Sequence, residues 1–150
     1  MGDESENSRL SRFALSEDDV AYLTEALGRC IAVENKIAEV FYERLFEDFP
    51  RARGMFRRDF QSQLQMFQTL LEGAAAELYR PTKLEPLLRR VGARHAEAGL
   101  RMGDMEMGRN PFLAAIESAI GGDEIALHRE AWNSLYSLLT SILNEGRFHR

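Results

Sequence analysis

Gly92-Ala93-Arg94-His95-Ala96-Glu97-Ala98-Gly99-Leu100 closes a helical stretch whose apolar side is Leu84, Leu87, Leu88 and Val91. Spacings of three and four residues set these side chains on one stripe of a 3.6-residue repeat. Four residues past Val91 the stripe arrives at His95, so an imidazole stands where another aliphatic side chain is due, and Gly99 then ends the helix. One other stretch answers it: Phe41-Tyr42, Pro50, Phe56 and Gln63, the last of these 32 residues before His95. Together they describe an apolar slot between two helices, with an imidazole on one wall and a phenol and an amide on the other.

The same period runs outward in both directions. Ser16, with Asp19 three residues on, opens a helix bearing Val20, Leu23 and Leu27. A second carries Ile37, Val40, Phe41 and Leu45 and stops at Pro50. A short turn through Arg53 and Phe56 leads to a long helix with Phe60, Leu64, Phe67, Leu71, Ala75 and Leu78, ended by Pro81. After the His95 helix, residues 101–109 read as irregular. Asn110-Pro111 reads as a cap with proline at the first helical position, followed by Phe112, Leu113, Ile116 and Ile120 up to a break at Gly121-Gly122. One last helix holds Ile125, Trp132, Leu135, Tyr136, Leu139, Ile142 and Leu143. No segment alternates at period two. The chain is expected to be all-α, six to eight helices of unequal length in an irregular packing. The expected domain runs over residues 16–146, between a mobile, acidic N-terminal tail (1–15) and a short C-terminal tail (147–150).

At 150 residues the chain suits a single domain able to bury about two-thirds of its unfolded surface. Its net charge of −5 argues against nucleic acid, which demands a clustered cationic face. There is no apolar run of about 18 residues to span a membrane. Met1 is followed by acidic and polar residues rather than an export leader, and lone Cys30 suits a reducing compartment, so a cytoplasmic location is expected.

A slot of this kind is what a haem-bound gas ligand requires. Five-coordinate haem iron takes one neutral imidazole and leaves a sixth position vacant. Phe56, Phe67, Leu71, Leu88, Val91, Leu100, Leu113 and Leu139 are candidate apolar walls, and Tyr42 and Gln63 candidate donors to a bound gas. Plainer readings stand beside these. A histidine on an apolar stripe is, taken alone, more often a packed core residue. Ser62 or Met66 is an alternative to Gln63. Met102, Met105 and Met107 suit gap filling beside a flat ring. Arg94 and Arg90 are either propionate partners or solvated cations. His128, on a stripe with Ile125 and Trp132, reads as helix packing.

The chain resembles a bacterial single-domain haemoglobin and is similar to the globin domain of flavohaemoglobins. Phe41-Tyr42-Glu43-Arg44-Leu45-Phe46 with Pro50 and Phe56, Gln63 with Phe67, Arg94-His95-Ala96 with Gly99-Leu100, and Trp132 with Tyr136 carry the likeness over roughly residues 16 to 146. The resemblance implies a globin fold around non-covalent haem b, with His95 as the iron ligand, Tyr42 and Gln63 as the distal pair and Phe56 wedged against the porphyrin. Phe67, Leu100, Arg94 and Met105 complete the expected cofactor contacts. Two departures stand out. The family's His-Tyr pair past the proximal histidine is Asp104-Met105 here, and its late glutamate aligns near Arg147, with Glu145 the closest acid. His95 is therefore expected to bond a backbone carbonyl and to push less electron density onto iron. The implied function is reversible binding of dioxygen, and of carbon monoxide and nitric oxide. The alternatives are nitric oxide dioxygenation and gas or redox sensing through a partner. The flavin and nicotinamide domains of flavohaemoglobins have no counterpart before Arg150, so turnover is expected to need an external reductase. The expected assembly is a monomer or homodimer.

Overall fold

The computed structural model describes residues 4–32, 36–55, 60–97 and 99–145. Eight α-helices and no strand occur among them: α1 (Glu4–Arg12), α2 (Glu17–Ile31), α3 (Lys36–Asp48), α4 (Phe60–Glu77), α5 (Glu85–Glu97), α6 (Arg109–Ile120), α7 (Gly122–Leu127) and α8 (Arg129–Glu145). Short 3₁₀ turns at Pro50–Met55, Pro81–Lys83 and Met102–Gly108 join them.

Local chemistry explains most boundaries. The Ser16 hydroxyl accepts the Asp19 N–H at 3.0 Å, while the Asp19 carboxylate accepts the Ser16 N–H at 3.0 Å. This reciprocal cap satisfies two donors that the start of α2 leaves orphaned. Pro50 and Pro81 each open a 3₁₀ turn just past an α-helix, where a missing N–H breaks no interior bond. Pro111 lies within the first turn of α6, but the helix starts at Arg109, so Asn110 is not its cap and Pro111 is its third residue rather than its first. That helix begins at Arg109, so residues 102–108, expected to be irregular, form a 3₁₀ turn running straight into it.

Two expectations need correction. Composition marks residues 1–15 as a mobile tail, yet Glu4–Arg12 is helical. The reason lies far off in sequence: Arg9 pairs with Glu85 of α5 at 2.9 Å and with Glu145 of α8 at 3.2 Å, while Leu10 and Phe13 pack against the core. Ala14 then turns the chain at φ 58, with Leu15 N–H reaching back to the Leu10 carbonyl. The second correction concerns the last helix. It is divided at His128 into α7 and α8, and a turn at Gly121 separates α7 from α6. Residues 1–3 and 146–150 lie outside the described part.

Helices α3 and α6, α5 and α8, and α2 and α4 pack in pairs. Trp132, Leu135, Leu138 and Ile142 of α8 are fully buried beside Leu23 and Leu27 of α2, Leu71 of α4 and Leu78 just past its end. Each such side chain contributes about 1.5–3 kcal/mol on leaving water. The α5–α8 crossing is the tightest. A Cβ added to Gly92 would lie 1.9 Å from the Leu143 carbonyl oxygen, so only glycine lets the two backbones meet there. No described helix is long and apolar enough to cross a membrane.

Candidate functional site

Helices α3, α4, α5, α6 and α8, with the 3₁₀ turn before α6, surround a mostly apolar cavity of about 120 Å³ that opens to solvent. Its lining brings together Tyr42 of α3, Gln63 and Phe67 of α4, His95 of α5, and Leu100 and Met105 beyond it. These residues are widely separated in sequence and meet only in the fold.

The wall formed by α4 follows from its register. Gln63, Met66, Phe67 and Leu70 face the cavity at helical spacing, while Leu64, Leu71, Ala74 and Leu78 turn to the core. Ser62 is exposed, so of the alternatives to Gln63 only Met66 reaches the cavity. Of the expected apolar walls, Phe67, Val91, Leu100 and Leu139 line it, whereas Leu71, Leu88 and Leu113 belong to the core. Phe56 lies outside the described residues. Arg94 is exposed and not part of the lining, because it stands one position, about 100° of helix, from the Val91–His95 stripe.

His95 is held at the end of α5 by two sets of bonds. Its Nδ1 lies 2.6 Å from the Val91 carbonyl oxygen, one turn back. A carbonyl only accepts, so Nδ1 carries the proton and Nε2 keeps the lone pair that a metal needs. The helix then closes in a Schellman turn: Leu100 N–H bonds the His95 carbonyl at 3.0 Å, Gly99 N–H bonds Ala96 at 3.0 Å, and Gly99 has φ 90. Leu100 is thereby buried beside the imidazole. Among the described residues no three His, Cys, Asp or Glu side chains gather as a metal cluster. A lone imidazole suits a metal whose remaining positions are filled by a macrocycle.

Across the cavity, Tyr42 is 6% exposed and packs against Phe41, Phe46 and Phe67, with ring centroids 5.0, 6.0 and 6.1 Å away. Burial raises its phenol well above the ordinary value, so it keeps its proton.

The two departures from the family pattern resolve into other roles. The Asp104 carboxylate accepts the Arg101 N–H at 2.8 Å, capping the 3₁₀ turn. The Met105 carbonyl accepts the Tyr136 hydroxyl. Glu145 pairs with Arg9, and the closest link described to the His95 Nδ1 is the Val91 carbonyl.

Sequence reasoning passed over much of the α8 wall. Tyr136, Thr140 and Leu143 line the cavity together with Phe112 of α6. The Arg109 guanidinium lies 4.9 Å above the Tyr136 ring and is paired with Glu106 at 2.9 Å. The repeat along α8 announced a buried stripe without distinguishing cavity from core.

A family model described as Globin matches residues 39–143. A flavohemoprotein of Chromobacterium violaceum is 30% identical over 109 residues, 69% of this chain and 26% of that protein. A flavohemoprotein of Rhizobium meliloti is 28% identical over 113 residues, 71% of this chain and 27% of that protein. The chain spans about a quarter of the length of the curated relatives it matches.

Proposed function

The chain belongs to the globin family, and on that premise we propose that it is a haem b protein that reversibly binds dioxygen, with carbon monoxide and nitric oxide as further ligands. The observation that carries this reading is a single apolar cavity lined by His95, Tyr42 and Gln63 together. Haem, when bound, supplies an iron with one position open to a diatomic gas.

The protein's own residues divide the remaining work. His95 would hold the iron through Nε2, oriented by its Nδ1 bond to Val91 at 2.6 Å. Phe67, Leu100 and Met105 would cover the macrocycle and keep water away. Tyr42, protonated and buried, would donate to a polar diatomic ligand, a bond worth about 1–3 kcal/mol in a dry site. Gln63 would supply a second donor. A neutral carbonyl on Nδ1 leaves the imidazole less electron-rich than a carboxylate partner would, which favours reversible binding over oxidative chemistry.

A second reading is nitric oxide dioxygenation with an external electron donor. What supports it is the name of the two relatives, flavohemoprotein, which joins a flavin to a haem. Sustained nitrate production with an added reductase would distinguish the two readings, since a binding protein converts only one equivalent.

The test is spectroscopic. Protein expressed with ample haem should show ferric, ferrous and carbonyl absorption spectra of a histidine-ligated haem. His95→Ala should lose the haem, or hold it weakly and recover it with added imidazole. Colourless wild-type protein, or unaltered spectra in His95→Ala, would overturn the proposal.

A further inference from the structure

The cavity wall is richest in sulfur on one side. Val91, Leu100 and Leu139 present aliphatic side chains to the cavity, and α4 presents the Phe67 ring and a single thioether, Met66. The 3₁₀ turn Met102–Gly108 presents both Met105 and Met107, half-buried beside a cavity that opens to solvent. Glu106, between them, is exposed and binds Arg109 at 2.9 Å, so the two methionines keep to the cavity side. Met107 also packs against the small cluster that includes Tyr42. Leucine would fill such space with the same aversion to water. What methionine adds is a sulfur whose lone pair a peroxide can attack.

The turn is pinned, so a new polar group on it has little room to move. The Met105 carbonyl accepts the Tyr136 hydroxyl, and the Asp104 carboxylate caps the Arg101 N–H at 2.8 Å. A Cβ on Gly108 would collide with the Tyr136 hydroxyl oxygen, which leaves no slack between turn and ring. A buried sulfoxide oxygen needs a hydrogen-bond donor. The donors along the lining already have work. Tyr136 serves Met105, the Thr140 hydroxyl serves the Tyr136 carbonyl at 3.0 Å, and the His95 Nδ1–H serves Val91. Tyr42 and Gln63 are the pair that the haem reading assigns to the gas.

We propose that Met105 and Met107 are sites of reversible oxidation by hydrogen peroxide, and that their sulfoxides loosen the hold of the cavity on haem. The inference rests on the haem reading above. In the forward step the sulfur lone pair attacks one peroxide oxygen, and an S–O bond forms as the O–O bond breaks. The second oxygen leaves as water and takes both peroxide protons. Sulfur is oxidised by two electrons and peroxide reduced by two. In the return step a thiol-dependent methionine sulfoxide reductase removes the oxygen as water, while two thiols become a disulfide. An apolar wall thus turns polar where the flat ring would lie, and turns back once the oxidant is gone. One unpaired sulfoxide should weaken haem retention about tenfold.

The test oxidises the full chain before haem is added, so that iron takes no part. Wild-type protein is treated with hydrogen peroxide, freed of it, and mapped by mass spectrometry after digestion. Met105 and Met107 should each gain one oxygen, and haem affinity followed by absorption should then fall about tenfold. A methionine sulfoxide reductase with added thiol should restore both mass and affinity. The double variant Met105→Leu, Met107→Leu should keep its haem affinity after peroxide, and the reductase arm decides the matter if that variant does not fold. Met105 and Met107 left unoxidised by a peroxide dose that oxidises free methionine, or an oxidised wild type that binds haem undiminished, overturns the proposal and leaves the haem reading standing. A loss that persists in the leucine variant assigns the effect to another residue, such as Met66, and overturns it too. An untreated chain that takes up no haem overturns both readings.

Discussion

Gly92→Ala tests the crossing that positions His95. A Cβ at residue 92 would lie 1.9 Å from the Leu143 carbonyl oxygen, against an ordinary contact beginning at 3.4 Å, so α5 and α8 must part by about 1.5 Å. Helix propensity argues the other way, since alanine is favoured over glycine in a helix interior by roughly 0.5–1 kcal/mol. Overpacking costs about 1–3 kcal/mol, and the upper end applies here because a backbone oxygen cannot rotate aside. The net expectation is a loss of about 2 kcal/mol, or a fall of about 4–8 °C in Tm for a domain of this size. The displaced backbone adjoins Val91, whose carbonyl holds the imidazole, so haem retention should fall as well. Thermal unfolding followed by circular dichroism, and haem transfer to an excess of a haem-free acceptor protein, measure the two effects. If Gly92→Ala melts at or above the wild-type temperature and keeps its haem as long, the close crossing is refuted and propensity has won.

Three further outcomes are expected. Tyr42→Phe should speed dioxygen release about ten- to hundredfold, the equivalent of one lost hydrogen bond, with little change for the less polar carbon monoxide; stopped-flow kinetics decide this. Ala14→Gly should stabilise the fold by about 1 kcal/mol, because a left-handed backbone costs alanine and not glycine, and chemical denaturation would report it. Glu124 is depressed in the folded chain from 4.5 to about 2. Its contribution is therefore complete above pH 4.5 and is lost as pH falls toward 2, so Glu124→Gln should flatten that part of the acid-unfolding profile.

Much of this architecture is legible in the chain because its cues are local. The Ser16–Asp19 box, the prolines at 50 and 81 and the glycine at 99 each act within one turn of helix, and the fold honours all of them. His95 is legible because it takes an aliphatic place on an apolar stripe, and Tyr42 because the stretch from Phe41 to Gln63 answers that histidine. What escaped depends on contacts distant in sequence. Arg9 makes a helix of an acidic segment through partners 76 and 136 residues away. The break at His128 left no mark, since Trp132 N–H still reaches the His128 carbonyl at 3.2 Å and hides the interruption from a periodicity argument. Gly92 reads as an ordinary helix glycine until Leu143 is seen against it. Thr140 carries no cavity signature either: its hydroxyl bonds the Tyr136 carbonyl at 3.0 Å, as in many a core helix.

Arg9 carries one more implication. Arg89 lies 3.4 Å from Glu85 and 3.9 Å from Glu145, the same two acids that Arg9 bridges. Trimming the chain back to residue 13 would leave two anions competing for one guanidinium where the start of α5 meets the end of α8. The dozen residues that composition marks as expendable thus balance charge on the scaffold behind the imidazole, and shortening them for convenience would loosen what a ligand-binding measurement is meant to report.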